Sequence, residues 1–183
     1  MSSLPEGFLN KLKEDNKPAI LLKLRQLSLG DDIEVDDEKL DINDFISNIK
    51  SIKPNFKFNS KVKKGNIVLK LKVPTLKEES NILTKCISDV EKKKTASTSD
   101  SFGIIYLFEL IKYIEQVDIG EEYSLKFEDL KIADRIKVVE SLPLSVYKEL
   151  SKFFNDIDAY TKGILTHNDK TITLDPSFFD AST

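Results

Sequence analysis

The chain is organised around residues 125–157, LKFEDLKIADRIKVVESLPLSVYKELSKFFNDI, which read as two short helices that meet at a proline. Apolar side chains recur every three or four residues in each half, as on one face of a helix: Leu130, Ile132, Ile136 and Val139, then Val146, Leu150, Phe153 and Ile157. Pro143 disfavours helical geometry just before it, so the first helix should end near Ser141, and Ser145 can cap the second. Burying one such side chain contributes roughly 1.5–3 kcal/mol, so we predict a packing element.

The composition favours an ordinary folded domain without a strongly charged face. The 183 residues are 40% hydrophobic and 32% charged, with a formal net charge of −3. A nucleic-acid-binding protein normally has a basic excess, so this balance predicts no nucleic-acid partner. Cys86 is the single cysteine, which excludes a disulfide framework or a cysteine-based zinc site within one chain. We expect Cys86 to be a small core residue.

The sequence has neither the pattern of a signal peptide nor that of a membrane span. Its start, MSSLPEGFLNKLKEDNK, lacks the charged and then apolar order of a secretory signal. The longest strongly apolar stretch, residues 102–111, contains Glu109 and is far shorter than the ~20 residues that cross a bilayer. We therefore expect no membrane partner and a protein made in a reducing cytosol.

Residues 1–54 are predicted to form a helical N-terminal extension. Pro18 suits the first turn of a helix that ends at Gly30 and has the apolar stripe Ile20, Leu21, Leu24 and Leu27. The acidic stretch DDIEVDDEKLDIND, residues 31–44, could be a calcium loop, but it lacks the central glycine and has Asn43 at the twelfth position. A solvated acidic loop is therefore favoured, followed by a helix that ends before Pro54.

Residues 55–183 are predicted to form an α+β domain, a mainly helical body with two β-hairpins at about 55–73 and 164–175. Apolar and polar residues alternate on both sides of Lys64-Gly65-Asn66 and again around His167-Asn168-Asp169-Lys170. Between the hairpins, we expect a helix with these residues facing inward: Ile82, Leu83, Cys86, Ile87 and Val90. A helix over residues 102–117 is apolar almost all round and should be buried, and a short strand should follow at Tyr123, Leu125 and Phe127.

No arrangement of residues in the sequence predicts catalysis or the binding of a metal, a cofactor or a small-molecule substrate. His167 is the single histidine and is expected in a surface turn. The acidic pairs Glu78-Glu79 and Glu121-Glu122 are adjacent in sequence, so their carboxylates should diverge. Carboxylates that only the fold brings together stay an open alternative. Because nucleotide-binding and G-x-S-x-G motifs are also missing, we expect a protein that is not an enzyme.

Three phrases of the sequence resemble the T4-type phage baseplate hub protein family over about residues 55–183. The first is KVPTLKEESNIL, residues 72–83, where a hairpin leads into a helix start that contains glutamates. The second is FEDLKIADRIKVVESLP, residues 127–143, and the third is the closing hairpin ILTHNDKTITLDPSFF, residues 164–179. Relatives often have cysteine pairs in that hairpin, whereas this chain has His167-Asn168-Asp169-Lys170, so no structural metal is carried over. Residues 1–54 lie outside the resemblance.

The resemblance implies a non-enzymatic structural subunit of a contractile phage tail baseplate, in or near the central hub, that acts by protein–protein packing during tail assembly. Its partners would be other baseplate and hub proteins, with the tail tube and the tape-measure protein as further candidates. It would be found in the virion and, during assembly, in the host cytoplasm. Two alternatives stay open: an assembly chaperone absent from the finished particle, and a hub enzyme such as a lysin.

The residues predicted to contact partners are the apolar ones near the two ends of the chain. They are Ile20, Leu21 and Leu24 in the N-terminal stripe, and Phe178 and Phe179 near the C-terminus. The two phenylalanines either fold back over the C-terminal hairpin or dock on a neighbour, because residues this close to a terminus need a binding surface to become ordered.

Overall fold

The computed structural model describes residues 7–36, 38–52, 58, 60–92, 98–174 and 176–179. The helices are α1 (Phe8–Lys11), α2 (Lys17–Leu29), α3 (Ile42–Ile52), α4 (Leu76–Lys92), α5 (Thr98–Ile111), α6 (Ile132–Glu140) and α7 (Leu144–Leu165). The strands are β1 (Asp32–Val35), β2 (Glu38–Asp41), β3 (Lys61–Lys64), β4 (Ile67–Leu71), β5 (Ile114–Ile119), β6 (Tyr123–Lys126), β7 (Thr166–His167) and β8 (Lys170–Thr171). This mainly helical α+β composition confirms the predicted fold class.

The chain divides into two compact units, each built from two separate segments. The sheet unit comprises Met1–Glu14 and Asn59–Asn155, and the hairpin unit comprises Asp15–Phe58 and Asp156–Thr183. The predicted domain boundary between residues 54 and 55 stays a prediction. It does not include the pairing of distant segments that the two units have. The segment 15–58 packs with the C-terminal segment of the chain, although more than 90 residues lie between them in sequence.

The sheet unit contains a four-stranded antiparallel sheet in the order β3-β4-β5-β6. Strand β3, with the sequence KVKK, is one edge, where exposed lysines hinder pairing with another chain. The register between β4 and β5 shifts at one point, where Lys70 lies opposite Gln116 but Leu71 lies opposite Ile114. Helices α4, α5 and α6 belong to the same unit, and α5 contacts both of the other two.

The hairpin unit has its own hydrophobic core. Its buried residues come from α2, α3, β1, the last part of α7, the residue after β8 and the C-terminal turn Pro176–Phe179. They are Leu22, Ile33, Ile42, Phe45, Tyr160, Ile164, Leu165, Ile172 and Phe178. The side chain of Asn48 fastens the end of α7, because its Nδ2 atom donates to the carbonyl oxygens of Ile164 (3.3 Å) and Thr166 (2.8 Å). An amide side chain here satisfies carbonyls that the helix leaves unpaired at its C-terminus.

The two helices predicted on either side of Pro143 are present as α6 and α7. Val139, Val146, Leu150, Phe153 and Ile157 are all buried, as their spacing predicted. Leu130, Ile132 and Ile136 of the first stripe are only half-buried, and Leu130 precedes α6. Two further details differ from the prediction. Helix α7 begins at Leu144, so Ser145 is inside the helix and does not cap it, and α7 continues to Leu165.

The continuation of α7 shortens the predicted C-terminal hairpin. Gly163, just before the predicted hairpin, lies inside α7, where a Cβ atom would lie 3.2 Å from the Cδ1 atom of Ile52. The remaining hairpin, β7–β8, turns at Asn168 and Asp169, whose φ angles are 47° and 63°. Positive φ at both central residues is the geometry of a tight two-residue hairpin turn.

Two further expectations for the fold were wrong. The acidic stretch 31–44 is not a loop, because residues 32–35 and 38–41 pair as the β1–β2 hairpin and Ile33 joins the core. The helix expected over residues 102–117 ends at Ile111, and the chain continues as β5 in the middle of the sheet. The strand predicted at Tyr123 is present as β6, and the turn predicted at Gly65 joins β3 and β4. Residues 55–57 of the predicted first hairpin lie outside the described residues.

Candidate interaction surfaces

The predicted contact residues of α2 lie on a helix that is only partly covered in the hairpin unit. Leu22, which was not predicted as a contact, is completely buried, and Ile20 and Leu21 are half-buried. Leu24 is 47% exposed and Leu27 is 82% exposed. The spacing of Ile20, Leu24 and Leu27 places them on one side of the helix, so α2 presents an apolar stripe outside the core.

The two C-terminal phenylalanines have different environments within one short 3₁₀ turn, Pro176–Phe179, that contacts α2. Phe178 is 6% exposed and belongs to the core of the hairpin unit. This residue therefore folds back onto its own chain, which was one of the two predicted alternatives. Phe179 is 40% exposed, and its ring packs edge-on against Phe178 with 5.1 Å between the ring centroids. Phe179 is therefore the phenylalanine of this pair that a neighbour could contact.

A second apolar surface, which the sequence did not predict, is a groove between α4 and α5 in the sheet unit. Its volume is about 260 Å³, and its apolar lining consists of Ile82, Leu83, Cys86, Ile87, Val90, Ile105 and Phe108. Ile82, Cys86 and Phe108 are buried and form its floor. Leu83 and Ile87, predicted to face inward, are instead 52% and 51% exposed, and Ile105 opposite them is 42% exposed. The apolar face of α4 is thus wider than the part that α5 covers.

The polar residues that line this α4–α5 groove are mainly acidic. In the described part of the chain they are Glu79, Glu91 and Glu109, together with the cation Lys112. The Nζ atom of Lys112 lies 2.7 Å from a carboxylate oxygen of Glu109 and 2.7 Å from one of Glu14, which is on the segment leading into α2. The described lining residues thus have three carboxylates and one ammonium, a formal net negative charge.

The pKa values around the groove reflect burial and this excess of carboxylates. Burial raises the pKa of the Cys86 thiol, and Glu109 and Asp89 raise it further. Burial and the charge of Glu79 also raise the pKa of Glu14, although Lys112 acts in the opposite direction. Burial alone would lower the pKa of Lys112, but Glu14 and Glu109 outweigh it and raise that pKa. Lys112 therefore stays protonated at neutral pH and cannot serve as a base or a nucleophile there.

The N-terminal segment is fixed to the start of α4 by backbone pairing as well as by this ion cluster. The amide of Glu14 donates to the carbonyl of Pro74 (2.9 Å), and the amide of Leu76 donates to that of Leu12 (2.8 Å). Lys13 and Thr75 form an isolated antiparallel bridge. These bonds position Glu14 beside Lys112, so the buried ion cluster connects segments that are 98 residues apart in sequence.

The phrase KVPTLKEESNIL has a physical role as a helix start. Thr75 and Glu78 form a capping box, in which the Glu78 amide donates to the Thr75 hydroxyl (3.2 Å) and the Thr75 amide donates to the Glu78 carboxylate (2.9 Å). The ammonium of Lys72, just after β4, binds the other carboxylate oxygen of Glu78. Burial raises the pKa of Glu78, but Lys72 and Thr75 outweigh it, and the net effect is a lowered pKa.

The residues weighed for catalysis or metal binding are not brought together. His167 lies 3.7 Å from a carboxylate oxygen of Asp44 and packs against the ring of Phe45. Among the residues that the structure describes, no group of three or more histidine, cysteine, aspartate or glutamate side chains could hold a metal ion. Within the same described ranges, no helix has the length and apolar character needed to cross a membrane.

Comparison with known families identifies the chain at the level of its family. One family model, described as T4 bacteriophage base plate protein, matches residues 4–173. The match covers most of the chain, and the protein belongs to this family of T4-type phage baseplate proteins. Membership places it in the baseplate of a phage tail, where other baseplate components are its neighbours. No curated protein and no solved structure matches the chain significantly.

The extent of the match corrects one expectation. Residues 1–54 were expected to lie outside the family resemblance, but the match begins at residue 4 and includes α2, α3 and the β1–β2 hairpin. At the other end, the match stops at residue 173, before the Pro176–Phe179 turn. The N-terminal segment is therefore a family feature, and Phe178 and Phe179 lie outside the matched region.

Proposed function

We propose that the protein is a structural subunit of the phage baseplate, in or near the central hub, and that it works by packing apolar surfaces against neighbouring proteins. The observation that carries the proposal is the exposure of large apolar side chains on α2 and along the α4–α5 groove. Contiguous apolar patches are uncommon on soluble monomers and usually mark a site of protein association. Family membership supplies the assembly in which such association would occur.

We further propose that the protein is not an enzyme and binds no cofactor, small-molecule substrate or nucleic acid. Two observations support it. The ionisable cluster around Lys112 consists of ion pairs whose lysine stays protonated, and the groove beside it is apolar. A catalytic site usually combines a concave pocket with a nucleophile or base of suitably shifted pKa, and this groove lacks that combination among the described residues.

The proposed partners are other baseplate and hub proteins, with the tail tube and the tape-measure protein as further candidates. The subunit would join them in the host cytoplasm while the tail assembles. A stable contact of this kind buries at least about 1,000 Å², with an apolar centre and a polar rim. Leu24, Leu27 and Phe179 in the hairpin unit are candidates for one such centre.

Quantitative mass spectrometry of purified phage particles tests the proposal. We expect peptides of this chain in a fixed whole-number ratio to another baseplate protein, and the ratio should persist when the particles are purified further. If the chain is present in assembling tails but missing from finished particles, it is an assembly chaperone and the structural proposal fails. Digestion of cell-wall material by the purified chain would overturn the non-enzymatic part of the proposal.

A further inference from the structure

We propose that the α4–α5 groove is the docking site for a basic amphipathic helix of another baseplate protein. This inference rests on the proposed function, because it specifies the chemistry of one of the partners. The groove differs from the apolar stripe on α2 in having both walls and a floor. Its lining residues on α4 extend from Glu79 to Glu91, a distance of about 18 Å at ~1.5 Å per residue.

The shape of the groove suits a helix. Exposed Leu83 and Ile87 are one turn apart on α4, and Ile105 faces them from α5 across the buried floor. An amphipathic helix of about three turns could place side chains at positions i, i+3, i+4 and i+7 into such a groove, as in other helix-in-groove complexes. The occupant would cover the apolar walls that the sheet unit leaves exposed.

The charge of the groove selects among possible occupants. Among the residues that the structure describes, Glu79, Glu91, Glu109 and one lysine line it, and two carboxylates bind that lysine. A helix with lysine or arginine beside its apolar face would complement this charge, whereas one with acidic flanks would be repelled. A second copy of the chain docked through the same groove would bring two sets of glutamates together, which disfavours self-association.

Two synthetic peptides and the purified full-length chain test the proposal. Both peptides would be amphipathic helices of about 18 residues with the same leucines, one with lysine and arginine beside them and the other with glutamate. By fluorescence anisotropy at low salt, we expect the basic peptide to bind at least tenfold more tightly. High salt should reduce the difference, because it screens charges at the rim. Equal binding of both peptides, or of neither, would overturn the proposal.

Matched variants locate the binding site. Leu83→Ser removes an apolar wall, and Leu144→Ser makes the same change at an exposed leucine of the sheet unit outside the groove. We expect Leu83→Ser to weaken binding of the basic peptide about tenfold and Leu144→Ser to change it less than twofold. Circular dichroism should show both variants folded, because each side chain is more than half exposed. Equal weakening by the two variants contradicts the assignment.

A charge reversal tests the electrostatic part separately. Glu91→Lys changes the groove, and Glu140→Lys makes the same change at an exposed glutamate in the last turn of α6. Glu91→Lys should weaken the basic peptide and strengthen the acidic one, while Glu140→Lys should alter neither by more than twofold. If light scattering instead shows dimers that Leu83→Ser abolishes, the occupant is a second copy and the proposal is wrong.

Phage carrying Leu83→Ser separate this inference from the proposed function. We expect the wild-type chain in purified particles and the variant to be depleted from them at least tenfold. If the wild type is present and the variant is incorporated equally well, the groove assignment fails but the structural role stands. If the wild type is itself missing from particles, the structural role fails, whatever the peptides show.

Discussion

At the scale of single residues, Lys112 has an environment that its type does not suggest. Lysines are rarely buried, yet this one is 5% exposed, in contact with two carboxylates and 5.2 Å from the centre of the Tyr113 ring. No pattern in the sequence indicates this, because Glu14 is 98 residues away. Only the fold brings the pair together, which is why pattern analysis detected Glu109 and Lys112 merely as polar exceptions in an apolar stretch.

Replacing Lys112 by methionine should destabilise the sheet unit strongly. The substitution keeps the apolar stem but leaves Glu14 with no cation, and removing one member of a buried ion pair typically costs about 3–5 kcal/mol. We expect a loss of roughly 3 kcal/mol in urea unfolding at pH 7, since Glu109 is partly exposed. Lys137→Met is the matched control, because its pair with Asp134 lies at the surface and should contribute little.

The same pair has a pH dependence whose sign follows from the raised pKa of Lys112. On the alkaline side, its stabilising contribution is complete below the ordinary value of 10.5 and is lost as the pH rises through the higher folded-state pKa. On the acidic side, it is lost as Glu14, whose own pKa is raised, becomes protonated. The difference between wild type and Lys112→Met should therefore persist around pH 7–9 and shrink in acid and in strongly alkaline solution. A difference that already disappears between pH 7 and 9 would contradict this assignment.

Glu78 should stabilise the start of α4 in a way that acid removes. Its pKa is lowered, so its contribution is present above the ordinary value of 4.5 and is lost as the pH falls through the folded-state pKa. Glu78→Gln can keep the capping box but loses the ion pair with Lys72. We expect the variant to be less stable by about 0.5–1 kcal/mol at pH 7, and the deficit should shrink as the pH falls below 4.5.

Urea unfolding measured at several pH values checks this prediction. Glu121→Gln provides the control, since it removes a carboxylate from an exposed turn and should change the unfolding free energy by less than about 0.5 kcal/mol at pH 7. A Glu78→Gln deficit that persists unchanged at pH 3 would show that packing, rather than the carboxylate charge, is the cause.

At the scale of helices and strands, the sequence predicts those elements whose residues have one clear apolar period. The pair α6 and α7 was predictable because apolar residues recur at helical spacing on both sides of Pro143. Strand β5 was not, because its register shifts near Leu71, and the buried residues Ile114 and Val117 are therefore three apart. Such spacing imitates a helix, so the preceding helix was extended into the strand. Gly163 lies inside α7, where the lack of a side chain accommodates Ile52.

Two glycine-to-alanine substitutions test whether a glycine within a helix is needed for packing. Gly103 lies in α5, and no atom lies within 4 Å of where a Cβ would be, so Gly103→Ala should raise the unfolding free energy by about 1 kcal/mol. At Gly163 the added methyl group meets Ile52 Cδ1 at 3.2 Å, so Gly163→Ala should gain clearly less.

A double-mutant cycle with Ile52→Val isolates the contact, because valine lacks the Cδ1 atom. We expect Gly163→Ala to recover its full gain in the Ile52→Val background, which gives a coupling energy of at least about 0.5 kcal/mol. Thermal and urea unfolding of the four variants would measure it. Full additivity would mean that Ile52 adjusts without strain and that the glycine is not needed for packing.

At the scale of the whole molecule, the sequence indicated the family and the fold class but not how the chain is divided. The apolar faces of α2 and α4 were both visible as periodic patterns, yet which of their residues stay exposed depends on how many elements pack there. The apolar face of α4 was predicted to be covered, but half of it lines an open groove. The stripe on α2 was predicted to contact partners, but Leu22 beside it is a core residue. The spacing of apolar residues in a sequence therefore indicates the apolar face of a helix, but not how many other elements pack against that face.

The Pro176–Phe179 turn provides a test of function that separates folding from assembly. Truncation before the turn would remove Phe178 from the core as well as Phe179 from the surface, so single substitutions are more informative. Phe178→Ala should destabilise the hairpin unit by about 3 kcal/mol, because it leaves a cavity in the core. Phe179→Ala should change the unfolding free energy by less than about 1 kcal/mol and yet reduce incorporation into particles at least tenfold.

Leu27→Ala and Tyr123→Ala complete the comparison, since both remove an exposed apolar side chain, the first on α2 and the second on β6 of the sheet unit. If α2 and the C-terminal turn form one docking surface, Leu27→Ala should reduce incorporation as Phe179→Ala does, and Tyr123→Ala should not. Particle composition by mass spectrometry and urea unfolding of each purified variant give the two readouts. Should Phe179→Ala be incorporated as well as wild type, this turn serves only to close the core of the hairpin unit, and the contacts that hold the subunit in the baseplate lie elsewhere.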